Sequence, residues 1–133
     1  MPKIKCYVTP SGKNEVQKIY DNGSDDLKAS FEVRLAYLMV RDRQDWQRPH
    51  AHKMSKCSEF RDFFEIRFLA DKVQQRPIGY FGPNDNEFTI LIWAIEKGNK
   101  LDPAGWCEIA NRRRKDIING NAQAICLQLE GDQ

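Results

Sequence analysis

The chain has 133 residues, 41% of them hydrophobic and 30% charged, with 21 lysines and arginines against 19 aspartates and glutamates. This composition indicates one globular domain and excludes collagen-like and disordered chains. The formal charge of +2 is too small to predict nucleic-acid binding from the overall balance. No apolar run approaches the ~18 residues of a membrane-spanning helix, and the start of the chain lacks a signal-peptide core. We therefore expect a cytoplasmic protein with no membrane partner.

The first half of the chain predicts a strand and two helices. Ile4–Val8 alternates apolar and polar residues, which is typical of a strand. A short helix follows, with Ser11 or Asn14 as its cap, and ends at Asp21-Asn22-Gly23. Ser24 and Asp25 then begin a longer helix that extends to about Arg43, with its apolar side chains at helical spacing: Leu27, Phe31, Leu35, Leu38 and Met39. Residues 44–58 have no consistent period and predict a long loop.

The second half predicts three antiparallel strands and a helix. Residues 60–69 and 76–81 form two strands around a turn at Asp71-Lys72, and 88–95 is apolar on both faces, which indicates a central strand. Asp102-Pro103 is typical of a helix start, and Gly120 of a helix end. The segment after Gly120 is either a further strand or an extended partner-binding segment.

This order of elements predicts a small α+β sandwich, in which an antiparallel sheet carries two N-terminal helices and one C-terminal helix. We expect the helices on one side of the sheet and the other face to be available for binding. The predicted domain covers residues 1–122, and residues 123–133 form a tail. The four cysteines, at positions 6, 57, 107 and 126, show no Cys-x-x-Cys spacing, so we expect free thiols.

Two arginines mark a candidate anion site on the sheet. If the turn at Asp71-Lys72 is tight and symmetric, Arg67 and Arg76 lie opposite each other on neighbouring strands. Two like charges in a cross-strand pair destabilise a sheet unless an anion or a carboxylate such as Glu65 compensates them. Phe63 and Tyr80 would pair on the same face, and guanidinium groups beside aromatic rings suit phosphate binding and base stacking in single-stranded RNA.

Further basic residues could extend this surface. We assign RNA-binding roles to five residues near the pair: Lys53, Lys56, Arg61, Phe63 and Lys100. The alternative is that Arg61, Arg67 and Arg76 are solvated strand residues paired with neighbouring carboxylates, and composition alone favours this alternative.

The two histidines lie in the predicted long loop. His50, His52 and Cys57 could together ligate zinc, but structural zinc normally takes four ligands, so we favour no metal and no cofactor. Either histidine could instead act as a general base, and the alternative is an exposed imidazole without a role.

The second half of the chain resembles the phage-derived, HigB-like branch of the RelE/ParE toxin superfamily. The resemblance covers about residues 58–118 and is carried by four motifs in order: Phe64-Glu65-Ile66-Arg67, Arg76-Pro77-Ile78-Gly79-Tyr80-Phe81, a hydrophobic strand ending in Glu96-Lys97, and a helix after Pro103 with Glu108, Ala110 and Arg113. Gly98 follows Lys97, where the branch commonly has a second lysine.

The resemblance implies a RelE-like fold and the toxin of a toxin–antitoxin pair. Such a toxin is a ribosome-dependent, metal-independent mRNA endonuclease that inhibits translation, and its neutralising partner is a helix-turn-helix antitoxin. The family's catalytic positions match Arg67, Arg76, Lys97 and Tyr80 of this sequence. Lys97 could serve as the base, with Tyr80 or a loop histidine assisting proton transfer. The alternative is a non-enzymatic binding module, either a gyrase-poisoning toxin or a phage-derived accessory protein.

Overall fold

The computed structural model describes residues 2–55, 57 and 62–132. Three helices lie in this part of the chain: α1 (Glu15–Asp21), α2 (Asp25–Met39) and α3 (Trp106–Ile118). The strands are β1 (Lys3–Val8), β2 (Ala51–Lys53), β3 (Phe63–Ile66), β4 (Phe68–Ala70), β5 (Val73–Phe81), β6 (Glu87–Lys97), β7 (Lys100–Asp102) and β8 (Gln123–Cys126). Among the described residues, no helix combines the length and the apolar character that crossing a membrane requires.

One mostly antiparallel sheet organises the fold. Its described strands run in the order β2-β3-β5-β6-β1-β8, while β4 pairs with β5 and β7 pairs with β6. β1 and β6 are parallel, and the other pairs are antiparallel. β6 lies centrally and is buried on both faces, which confirms the prediction for 88–95. The predicted α+β class is also confirmed.

The helices α1 and α2 begin where the sequence predicts, but α2 ends at Met39 and not near Arg43. The Asn14 side chain accepts a hydrogen bond from the Gln17 N–H at 3.0 Å, and Ser24 accepts from the Leu27 N–H at 3.0 Å. These contacts satisfy N–H groups that a helix start otherwise leaves without partners. The apolar stripe of α2 is buried through Leu27, Phe31, Leu35 and Leu38.

Helices pack on both faces of the sheet, so the expectation of an open second face was wrong, although α3 covers only part of that face. One core cluster joins α1 and α2 to the sheet through residues such as Phe31 and Phe68. A second cluster on the opposite face contains Phe63 and Tyr80, and residues of α3 such as Ala110 pack against it. Sequence patterns locate an amphipathic helix but do not determine the face of the sheet on which it packs.

Several local predictions need correction. β2 lies within the predicted long loop, and the predicted strand 60–69 is interrupted at Arg67 between β3 and β4. α3 begins at Trp106, not at Asp102, because residues 100–102 pair with β6 as β7. Cys57 and Cys107 form a disulfide, and the expected free thiols are found at Cys6 and Cys126.

The C-terminal segment belongs to the sheet. β8 pairs antiparallel with β1, so the strand alternative for this segment is the one that the structure has. Leu127 is buried in the first core cluster. Glu130 then forms a salt bridge with Lys28 on α2, with 2.6 Å between the charged atoms. The segment predicted as a tail therefore contributes to the same core as residues 1–122.

Candidate functional site

A tight turn sets the register of the site. Asp71 and Lys72 connect β4 to β5 with φ values of 54° and 62°. Two left-handed residues in a two-residue connection are typical of a type I′ hairpin turn, whose twist matches that of the strands. The start of α2 holds the turn, since Ser24 Oγ donates to Asp71 Oδ2 at 2.6 Å and Asp26 Oδ2 accepts from the Asp71 N–H at 2.6 Å.

This register places Arg67 opposite Arg76. Phe63 pairs with Tyr80, Glu65 with Ile78 and Phe68 with Gln75. The register of the pairing is therefore the same before and after Arg67, with no shift between β3 and β4. The predicted tight turn and the predicted Phe63–Tyr80 pair are confirmed. Arg67 lies between β3 and β4, and its N–H donates to the His50 carbonyl at 3.0 Å. That hydrogen bond connects the residue between β3 and β4 to the segment that precedes β2.

A buried carboxylate joins Arg67 to a histidine. Glu65 is only 5% exposed, and its Oε1 accepts a hydrogen bond from Arg67 Nη1 at 2.6 Å. His52 pairs with Glu65 across β2 and β3, and its Nδ1 lies 3.7 Å from the same oxygen. Burial, followed by the positive charge of Arg48, lowers the pKa of His52. The imidazole is therefore neutral at neutral pH and able to accept a proton.

Arg76 is buried with incomplete compensation of its charge. Its side chain is 3% exposed, with Nη1 donating to the Gln75 carbonyl at 2.8 Å and Nη2 to Gln74 Oε1 at 3.3 Å. Glu96 Oε1 lies 3.6 Å from Nη2, and Nε has no hydrogen-bond partner among the described residues. Burial, then the charge of Arg67, lowers the pKa of Arg76. An anion at this position would offset both effects.

The histidine, the carboxylate and the first arginine border a cleft of about 520 Å³, which we call the His52 cleft. His52, Glu65 and Arg67 form one wall, at the edge of the sheet. Residues of the β6–β7 hairpin and the first residue of α3 form the other wall: Glu96, Asn99, Lys100, Leu101 and Trp106. The cleft is thus the part of this sheet face that α3 leaves uncovered.

The predicted lysines do not all lie at the cleft. Lys100 lines it, whereas Lys97 is 70% exposed, lies 3.6 Å from Asp102 and is not among the lining residues. Lys53 is exposed and lines a neighbouring cleft with His52 and Phe64. Lys56 and Arg61 lie outside the described residues.

The two predicted aromatic residues lie under α3 and do not form a surface for base stacking. Phe63 is fully buried and Tyr80 is 5% exposed. The Arg114 guanidinium of α3 lies over both rings, 4.4 Å from the Phe63 centroid and 5.6 Å from that of Tyr80. Burial raises the pKa of Tyr80, so its hydroxyl stays protonated at neutral pH. Phe63 and Tyr80 form part of the core, a position that follows from the packing of α3 on this face.

No sequence pattern points to the His52–Glu65 pair or to Arg48. The sequence predicts His52 in a loop, as a possible base or zinc ligand, because a three-residue strand is too short to show a period. Its pairing with Glu65 becomes visible once β2 is known. Arg48 and Trp106 reach the cleft from distant parts of the chain, and no spacing rule links them to it.

The zinc alternative loses one of its ligands. The Cys57 sulfur is bonded to Cys107, and the His50 ring stacks on Tyr37 with 3.8 Å between centroids. In the part of the chain that the structure describes, no group of three His, Cys, Asp or Glu side chains is placed to hold a metal ion.

Comparisons of the chain with family models, with curated proteins and with solved structures give no match. The geometry of the cleft therefore gives the indication of function. A neutral imidazole, a buried carboxylate and two arginines in one place combine proton transfer with the binding of an anion.

Proposed function

We propose that this protein is an endonuclease that cleaves single-stranded RNA without a metal ion. The observation that carries the proposal is the contact of both His52 and Arg67 with the buried carboxylate of Glu65, at 3.7 Å and 2.6 Å, inside one cleft. RNA supplies its own nucleophile in the 2′-hydroxyl, so the protein needs a proton acceptor, a proton donor and cations around the phosphate.

His52 is the proposed base. Its Nδ1 faces Glu65, which leaves Nε2 to take the proton from the 2′-hydroxyl. The 2′-oxygen then bonds to phosphorus as the bond from phosphorus to the 5′-oxygen breaks. The leaving 5′-oxygen receives a proton from the Lys100 ammonium across the cleft, and the products are a 2′,3′-cyclic phosphate and a 5′-hydroxyl end. Glu65 is a positioning residue that orients His52 and Arg67.

Arginine supplies the proposed charge stabilisation. The attack places additional negative charge on the phosphate oxygens, and a planar guanidinium can donate two hydrogen bonds to them. Arg67 lines the cleft and supplies these hydrogen bonds, whereas Arg76, which lies opposite Arg67 across the strands, is not among the lining residues. Lys97 and Tyr80 are left without a role in this proposal, because one lies outside the cleft lining and the other is buried under α3.

The sequence resemblance extends the proposal to a biological role. We propose a RelE-like toxin that cuts mRNA on the ribosome, acts in the cytoplasm and is neutralised by a helix-turn-helix antitoxin. The opposed arginines Arg67 and Arg76 support it, since both belong to the motifs that carry the resemblance. The ribosome would complete the orientation of an RNA strand in a cleft that is shallow on the free protein.

Primer extension on a defined mRNA in a reconstituted translation reaction tests the proposal. We would compare the wild type with His52→Gln and Arg67→Gln, each with and without ribosomes, and use Arg112→Gln as the control because Arg112 is exposed on α3. Ribosome-dependent cuts by the wild type and the control, lost in the other two variants, are expected. The absence of cuts by folded wild-type protein would refute the nuclease and favour a binding module. Cuts that persist in Arg67→Gln would refute the assigned site.

A further inference from the structure

A second cleft adjoins the first on the side of α2. It has a volume of about 310 Å³ and is lined by four arginines, Arg34, Arg48, Arg67 and Arg76, for which we call it the arginine cleft. The rest of its lining is Pro49, Phe68, Leu69 and Gln74. No Asp or Glu is among the described residues that line it.

The positive charge of the arginine cleft is poorly compensated. Arg67 is bound to Glu65, and Arg76 lies 3.6 Å from Glu96. Within the described ranges, Arg34 and Arg48 form no ion pair. The Nε atoms of Arg34 and Arg76 are buried and have no hydrogen-bond partner there. Two buried donors and four guanidinium groups therefore lie around one small space.

Such an arrangement favours an anion with several oxygen acceptors. A buried donor without a partner costs roughly 1–3 kcal/mol, and more when the group is charged. Burial lowers the pKa of Arg34 and of Arg76, but a guanidinium remains protonated in proteins, so both groups stay charged and an anionic ligand would offset that charge. Phosphate groups match the geometry of guanidinium donors.

The arginine cleft is continuous with the His52 cleft. Arg48 and Arg67 line both, so an anion bound in one cleft lies next to an anion bound in the other. Successive phosphates of a nucleic-acid strand meet this requirement. The exposed side chain of Leu69, at 56%, adds an apolar contact beside the arginines, which suits a base or a ribose.

We infer that the arginine cleft is a second phosphate subsite, which binds the phosphodiester adjacent to the one held in the His52 cleft. The inference rests on the proposed function, since it takes the ligand to be single-stranded RNA. It assigns Arg34 of α2 and Arg48 of the segment before β2 to substrate binding outside the reacting centre.

Fluorescence anisotropy with 2′-O-methyl oligonucleotides, which lack the nucleophile, tests this inference. A hexanucleotide is long enough to fill both clefts. We expect Arg34→Gln to weaken hexanucleotide binding about tenfold and to reduce the slope of log K against log salt by about 0.7, the value for one lost contact to a single strand. Arg112→Gln is the matched control, and a thermal melt checks that each variant folds.

The outcomes separate the possible ligands. Hexanucleotide affinity and salt slope unchanged in Arg34→Gln would overturn the inference. So would binding of inorganic phosphate that depends on Arg34 but does not compete with the hexanucleotide, because the cleft would then take a free anion. A wild type that binds the hexanucleotide through Arg34 but never cleaves RNA would refute the nuclease and leave the phosphate subsite in place. RNA cleavage by the wild type, with no effect of Arg34→Gln on binding, would refute the phosphate subsite and leave the nuclease in place.

Discussion

Arginines lie at both ends of the sheet face on which α3 packs, with different consequences. At the covered end, the Arg114 guanidinium lies over Phe63 and Tyr80 and is paired with Asp62. At the uncovered end, Arg67 lines both clefts and Arg76 lines the arginine cleft. The residue types are the same, and the position relative to α3 decides which set is structural and which is available to a ligand.

Charge balance distinguishes the two ends further. Arg114 has a carboxylate partner and two rings, which together stabilise a buried guanidinium. At the uncovered end, the arginine cleft has four guanidinium groups and no carboxylate in its described lining. Excess positive charge at a cleft indicates an anionic ligand, whereas a paired and covered charge indicates a fold contact.

The largest expected effect concerns the disulfide at the covered end. Cys57 and Cys107 are 50 residues apart, and closing a loop of that length stabilises a fold by about 4 kcal/mol in the chain-entropy account. We expect Cys107→Ser to lower the free energy of unfolding by about 2–4 kcal/mol. Urea denaturation of the oxidised wild type and the variant measures the difference. Equal stability would show that the bond contributes nothing to the covered end.

Thiol counting is the control for the disulfide. Burial raises the pKa of Cys6 to about 12, so this thiol is unreactive in the native state, whereas Cys126 is exposed. One thiol should react in the native protein, two after denaturation and four after denaturation with a reductant. Four reactive thiols without reductant would contradict the bond.

At the uncovered end, we expect Arg76→Gln to reduce kcat/KM for RNA cleavage about tenfold, roughly 1.4 kcal/mol, because Arg76 lines the arginine cleft, in which the adjacent phosphodiester binds. Stability should change little, because the variant removes a buried charge that lacks full compensation. Single-turnover cleavage and a thermal melt give the two quantities. A large loss of stability with normal cleavage would show that Arg76, like Arg114, stabilises the fold and does not bind RNA.

Arg114→Gln is the reciprocal variant. It removes two cation–π contacts and an ion pair, so we expect a loss of about 1–2 kcal/mol in the free energy of unfolding. The folded variant should cleave RNA at the wild-type rate, since Arg114 is not among the residues lining either cleft. If cleavage falls without any change in stability, Arg114 acts on RNA and the two ends do not differ in role.

The pH dependence of cleavage isolates His52 at the uncovered end. The neutral imidazole is the active form of a base, so activity should rise with pH through the pKa of His52 and then level off. Burial and the charges of Arg48 and Arg67 lower that pKa, although Glu65 raises it, so the midpoint of the rise should lie below about pH 6.5. The profile of kcat/KM measures the midpoint. An Arg48→Gln variant should move the midpoint upward, and an unshifted midpoint would contradict this account.

Sequence alone predicted the structural features that depend on local patterns. Helical spacing located α1 and α2, a doubly apolar run located β6, and the symmetric turn gave the Phe63–Tyr80 register. That register in turn placed Arg67 opposite Arg76. These features depend on residues close in sequence or joined by one short turn.

The rest depends on contacts between distant segments. α3 packs on the face that was expected to be open, Cys107 reaches Cys57 across 50 residues, and Arg34 meets Arg76 only through the packing of α2 beside β4. No period or motif encodes such contacts, so Phe63 and Tyr80 were predicted as binding residues while Arg34 and Arg48 were not considered for the site. The candidate site therefore keeps Arg67 and gains residues from α2, from β2 and the segment before it, and from the start of α3.

The smallest expected effect tests the turn that sets this register. Lys72 has a φ of 62° and is exposed, and a left-handed conformation costs a residue with a Cβ about 1–2 kcal/mol. Glycine removes that cost but adds about 0.4–1 kcal/mol of unfolded-state entropy. We therefore expect Lys72→Gly to raise the free energy of unfolding by about 0.5–1 kcal/mol, with cleavage unchanged because the register is kept. Lys72→Ala keeps the Cβ and should give no gain. A destabilised Lys72→Gly protein would mean that this side chain, and not the backbone geometry, stabilises the turn between Arg67 and Arg76.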